Sequence, residues 1–246
     1  PIDVRVGKAE VLGYDIGSYL RVLDDEAYVG GRGDGVWREV QKSASLDGIS
    51  VTAGPAKFSI ARATVGAMRL RQAEAPLGAV LDRATSDPKY FEANPVEAIR
   101  FSLGLLGTMA LEHYTLDGWS IAGPDLERFL IGRVQLRDLS PDGLGEFSID
   151  GVDAAAQGNL VRFARFAFGG LTFPDSRAIA AAVASGGQGP DFDPFALAPT
   201  LGFLRLDGAS VDVAGKGQIG LGSFSMDFPR YIKAVPTAAR ILLKNL

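Results

Sequence analysis

Few residues of the chain can do chemistry unaided: 246 positions hold one His and no Cys. Without Cys there is no thiolate nucleophile, disulfide framework, iron–sulfur cluster or Cys-ligated zinc. One imidazole also cannot build a site that needs two or three. The nearest approach to a nucleophile elbow is Gly118-Trp119-Ser120-Ile121-Ala122, one residue from Gly-x-Ser-x-Gly. With His113 as its base, Ser120 would be the nucleophile of a serine hydrolase. Against this, Ser120 occupies a position of an internal repeat at which other copies carry Ser50, Asp153 and Ser210. An outer-face repeat position accounts for it, and the chain is read as non-enzymatic, with no catalytic residue.

Three other groups invite a chemical reading. Carboxylates cluster at Asp24-Asp25-Glu26 and at Asp191-Phe192-Asp193, where a divalent cation or acid–base chemistry is conceivable. Both fall in turn-forming stretches, and solvated loop charge is the simpler account, so no metal or cofactor is assigned. The segment GGRGDG (30–35) lacks the spacing of a dinucleotide loop, and the VWREVQ after it alternates as a strand. A flexible Gly-rich loop is the default, with Arg32-Gly33-Asp34 a weak adhesion tripeptide. Finally, a basic residue recurs at Lys8, Arg62, Arg133 and Arg165. Aligned copies would form a ladder along one face, facing phosphate groups or pairing with Glu10, Glu39 or Asp138.

The elements that position these residues come from self-similarity. The pattern apolar–small–(basic or Ser)–apolar–any–apolar occurs as VGKAEV (6–11), IARATV (60–65), IGRVQL (131–136), FARFAF (163–168) and LGSFSM (221–226). An apolar–Asp–Gly tripeptide precedes each of the last four, with Asp-Gly at Asp47-Gly48, Asp117-Gly118, Asp150-Gly151 and Asp207-Gly208. Asp-Gly is a preferred occupant of a type I′ hairpin turn. The flanking residues match in pairs, as Leu116 with Trp119 and Tyr114 with Ile121. Each repeat therefore reads as a hairpin with one apolar face followed by a third strand. Helical periodicity intervenes at 15–23 after a capping Asp15, from Asn94-Pro95 to about Met109, near 176–185, and in 230–244 around Pro236.

The expected fold is thus α+β and β-dominated. Tandem hairpin-plus-strand repeats form one long antiparallel sheet, with short amphipathic helices between them. The chain reads as one repeat-built domain over 1–246, with a flexible break at 185–200. It starts inside a repeat, which reads as a fragment of a longer protein. The net charge of −4 argues against a nucleic-acid surface. The longest uncharged apolar stretch, 101–111, is too short to span a bilayer.

Tandem units with apolar–Asp–Gly tripeptides, apolar strand faces and 18 Arg to 7 Lys resemble bacterial cell-envelope repeat proteins of the AsmA-like kind. That resemblance implies a periplasmic location and a long curved sheet whose apolar face contacts lipid or an envelope protein. It transfers no functional residue. Alternation within the hexapeptides names the face such a ligand would meet: Ile60, Ala63, Val134, Phe166 and Phe224. The alternative is a scaffold without ligand, its apolar face closed by the helices of 95–109 and 230–244.

Overall fold

Each Asp-Gly pair lies in the middle of a long strand, not at a hairpin turn. A computed structural model describes residues 2–124, 126–186 and 193–245. It is dominated by one antiparallel sheet, in the order β1 (Ile2–Arg5), β4 (Ser43–Ala53), β5 (Ala56–Val65), β7 (Met109–Gly123), β8 (Leu126–Ser140), β9 (Gly143–Ala156), β10 (Asn159–Thr172), β11 (Phe203–Val213), β12 (Gly217–Ile232) and β13 (Val235–Lys244). β2 (Lys8–Leu12) extends the β1 edge on β4, and β3 (Arg38–Gln41) pairs with β6 (Met68–Leu70) at one corner. The expected β-dominated antiparallel sheet is therefore what forms.

The turns fall elsewhere. Gly54-Pro55 joins β4 to β5, and Gln157-Gly158 joins β9 to β10 with φ of 52° and 75°. Two consecutive positive φ values are the type I′ signature, so Gln157-Gly158 does what was expected of Asp-Gly. Gly48, Gly118, Gly151 and Gly208 are left-handed too, with φ of 65°, 63°, 68° and 61°, but inside β4, β7, β9 and β11. The near-constant offset from each Asp to its hexapeptide has a simple origin. Both belong to one hairpin with long arms, and the Asp lies opposite the hexapeptide's third residue: Asp47 faces Arg62, Asp150 faces Arg165, and Asp207 faces Ser223.

All five hexapeptides consequently stand level across the sheet. Lys8, Asp47, Arg62, Asp117, Arg133, Asp150, Arg165, Asp207 and Ser223 form one transverse row, strand by strand. The next level is a row of small residues, with Gly118 opposite Ala61 and Gly151 opposite Gly132. Strict alternation would send Leu116 and Trp119 to opposite faces. The left-handed glycine breaks the pleat between them, alternation resumes one residue later, and the apolar set stays on one face. Asp138 and Gly170, with φ of 52° and 60°, repeat the device nearer the other end of β8 and β10.

The helices gather at one end of the sheet. α1 (Ile16–Leu23) follows β2, while α2 (Gly78–Ser86), α3 (Tyr90–Ala93) and α4 (Pro95–Leu106) lie between β6 and β7, and α5 (Ser176–Ala184) follows β10. Asp15 caps α1 as expected, accepting from the Ser18 N–H at 3.0 Å. Asn94 does not cap α4; its amide donates to the Tyr90 carbonyl at 2.9 Å, because α3 runs directly into α4. The helix expected in 230–244 is instead the end of β12, a turn with Lys233 at φ 56°, and β13. Pairing with the open edge of β12 overrides helix propensity there, and Pro236 is tolerated because β13 is an edge strand.

Among the described residues the buried hydrophobic cluster is at the corner, where Val22, Val40 and Leu70 pack with Tyr19 and Met68. Gln72 ties this corner together, donating to the Arg21 and Ala27 carbonyls at 3.3 Å each and accepting from the Asp34 N–H at 2.9 Å. The GGRGDG loop is thereby docked. Arg38 binds the Asp34 carboxylate, which also accepts from the Val36 N–H at 2.9 Å. The Arg38 hydrogen bond, aided by that of Val36, holds the Asp34 carboxyl down at about 2. A depressed carboxyl stabilises the fold above its unfolded value, and that stability is lost as pH falls through the folded one. Asp34→Asn is therefore expected to cost about 0.5–1 kcal/mol at pH 7. The gap to wild type should close near pH 2, read from urea midpoints at both pH values.

Candidate ligand-binding face

The residues named from sequence converge. Ala63, Val134, Phe166 and Phe224 stand on the level next to the charged row, and Ile60 lies across the small-residue row from them. Sequence reasoning missed the members contributed by the intervening strands. Leu116, Ile149 and Leu206 complete the same level, opposite Ala63, Val134 and Phe166 respectively. The signal was present, since each is the apolar residue directly before an Asp-Gly. Reading that pair as a turn hid its register.

Beyond the small-residue row the face turns aromatic. Trp119 sits between Phe58 and Phe129, edge-on to both, with ring centroids 5.9 and 6.4 Å away. Its Nε1 is buried without a hydrogen-bond partner among the described residues. Towards the helical end Phe166, Phe168 and Phe147 form a second cluster, with centroids 6.2 and 5.3 Å apart.

Among the described residues no helix makes extended contact with this face. Extended contacts of the helices are with one another and with β3: α4 meets α3 and α5, and α1 meets β3. Phe58, Trp119, Phe166 and Phe224 are only half-buried, and Val161 and Val211 are 42% and 43% exposed. The accessible surface is 14941 Å². A compact monomer of 25.9 kDa exposes about 10,500 Å². The difference, several thousand Å², is the signature of a sheet with unpaired faces rather than a closed two-layer domain.

The charged row occupies the opposite face. Its basic residues pair with the Asp of the Asp-Gly tripeptides, not with Glu39 or Asp138 as expected from sequence: Arg62 with Asp47 at 3.4 Å, Arg133 with Asp117 at 2.6 Å, Arg165 with Asp150 at 2.8 Å. Lys8 does take Glu10, at 2.8 Å. Lower on the same face Asp153 lies between Arg128 at 2.8 Å and Arg162 at 3.2 Å. Partial burial raises its carboxyl, but the two guanidinium groups outweigh that and hold it below the ordinary range. The cations of this face are thus largely matched within the protein.

The hydrolase geometry does not assemble. Ser120 and His113 lie seven residues apart along β7, about 23 Å in extended backbone. The Ser120 hydroxyl is hydrogen-bonded to that of Ser59 at 2.6 Å, and His113 lies 3.9 Å from Glu112. Asp24 and Asp25 work structurally, accepting from the backbone N–H groups of Glu26 at 3.0 Å and Gly78 at 3.2 Å. Asp191 lies outside the described residues, whereas Asp193 caps a turn at Phe195 and binds Lys233 at 2.8 Å. Among the described residues no three His, Asp or Glu side chains are grouped to hold a metal, and no helix is long and apolar enough to cross a membrane. Compared with family models, curated proteins and solved structures, the chain matches none.

Proposed function

We propose that this protein is a non-enzymatic module of the bacterial cell envelope whose open apolar sheet face holds an apolar or lipidic ligand. The observation that carries the reading is the face itself: apolar levels aligned across the sheet, aromatic at two places, with no helix in extended contact with them among the described residues. The periplasmic assignment rests on the AsmA-like resemblance of the repeats. The scaffold alternative needs the face closed by its own helices. That reading is disfavoured because residues 235–244 form an edge strand and α4 packs on α3 and α5.

The test is native mass spectrometry and lipid extraction of protein purified from a Gram-negative host. Wild type is expected to carry lipid, and Phe166→Asp to lose it. Circular dichroism separates lost binding from lost folding, and Phe224→Asp, nearer the β13 edge, provides a second variant. A wild-type protein that comes out empty and binds no apolar dye overturns the reading.

A further inference from the structure

A second apolar concavity lies apart from the sheet face, where the helices meet the strand ends. α2, α4, α5 and the helical ends of β7, β8 and β10 line an open cleft of about 1720 Å³. That exceeds the several hundred Å³ of an ordinary small-molecule pocket. Leu77, Val80, Phe101, Leu106 and Phe173 are among its walls, and Leu106 is 62% exposed there. A wet apolar cleft of this size fits a long hydrocarbon chain, not a compact polar metabolite.

Its charges fall into two groups. The acidic walls are largely engaged: Glu97 binds Arg83 at 3.4 Å and accepts from the Tyr90 hydroxyl, and Glu74 and Asp175 have partners. Asp142 is the remaining carboxylate. The cations are less engaged. Arg32 and Arg100 line the cleft and carry no ion pair among the described residues. Arg71 is fixed in place, donating to the Gly107 carbonyl at 2.8 Å with its guanidinium over the Trp37 ring at 4.6 Å. Guanidinium groups lining an apolar cleft match a carboxylate head on a hydrocarbon tail.

We infer that this cleft binds an anionic acyl amphiphile of the long-chain fatty-acid class, with its head at Arg32 and Arg100 and its tail along α4 and Phe173. The site is separate from the apolar sheet face and does not rest on that reading.

Calorimetric titration below the micellar concentration tests it with three probes: oleate, methyl oleate and octanoate. Oleate should bind wild type, methyl oleate about tenfold more weakly for want of the charge-assisted contact, and octanoate far more weakly still. Each methylene buried tightens binding by about fourfold. The Arg32→Glu/Arg100→Glu double variant should lose about tenfold in oleate affinity and none for methyl oleate. Arg69→Glu, a charge reversal outside the cleft, should bind as wild type. Oleate that fails to bind wild type, or that binds the double variant equally well, overturns the inference, as does equal affinity for the ester. Phe166→Asp keeps the two readings apart: it is expected to strip lipid from the sheet face and leave oleate binding in the cleft intact.

Discussion

Gly118→Val is expected to lower stability by about 3 kcal/mol, and Gly151→Ala by only about 1 kcal/mol. Both glycines are left-handed inside strands, so any side chain meets the backbone penalty of positive φ. They differ in space. A Cβ on Gly118 would stand 2.9 Å from the Ala61 Cβ, whereas one on Gly151 would find nothing nearer than 3.6 Å. Valine at 118 adds β-branching to a conformation that resists it and pushes β7 from β5. Urea unfolding with an unchanged m-value is the measurement. Equal losses at the two sites would show that backbone conformation alone sets the cost. No loss at either would mean that the pleat break does not need glycine.

The same glycines show what the sequence could and could not tell. The repeat itself was legible, because five hexapeptides share the same apolar positions and four of them follow an Asp-Gly at a near-constant offset. The β-dominated antiparallel sheet followed from it, as did the helices at α1, α4 and α5. What misled was Asp-Gly. A left-handed glycine between matched apolar residues has two meanings: a two-residue turn bringing Leu116 and Trp119 together across a hairpin, or a pleat break keeping them on one face of one strand. Local chemistry is identical in the two cases. The difference lies in what pairs with the Asp, and Asp117 pairs with Arg62 on one side and Arg133 on the other. The 230–244 segment failed for a related reason, since only the free edge of β12 decides that Ala238, Arg240 and Ile241 extend rather than coil.

The candidate face was legible in half. Alternation inside each hexapeptide identified Phe166 and Phe224 without knowledge of the fold. The partners from intervening strands, and the lack of a helix over the face among the described residues, depend on topology and on where the helices are sent. No local pattern encodes either. The ionic partners of Arg62, Arg133 and Arg165 are hidden in the same way, each including the Asp of a pair whose local chemistry is that of a turn.

On the charged face the expected large effect belongs to Arg165. Its Nη1 donates to Asp150 at 2.8 Å and its Nη2 to Glu146 at 2.6 Å, although these carboxylates sit four residues apart on β9. To reach both, the guanidinium must lie along the strands over the intervening level, occupied by Ser148 and Ala167. Those two are 0% and 1% exposed, in a sheet otherwise nearly devoid of fully buried residues. The small side chains there leave room for the arginine that covers them. Arg165→Ala should therefore cost about 2 kcal/mol: it uncovers Ser148 and leaves Glu146, whose side chain is only 17% exposed, with the Arg137 guanidinium at 3.9 Å as its one remaining ion-pair partner among the described residues. Arg165→Lys should recover no more than about half, because one ammonium cannot bridge two carboxylates held so far apart. Adding Glu146→Gln to Arg165→Ala should return part of the loss, since the poorly compensated carboxylate charge is then gone. If Arg165→Ala costs less than about 0.5 kcal/mol, the bridge is an ordinary screened surface pair and the burial of Ser148 and Ala167 has another cause.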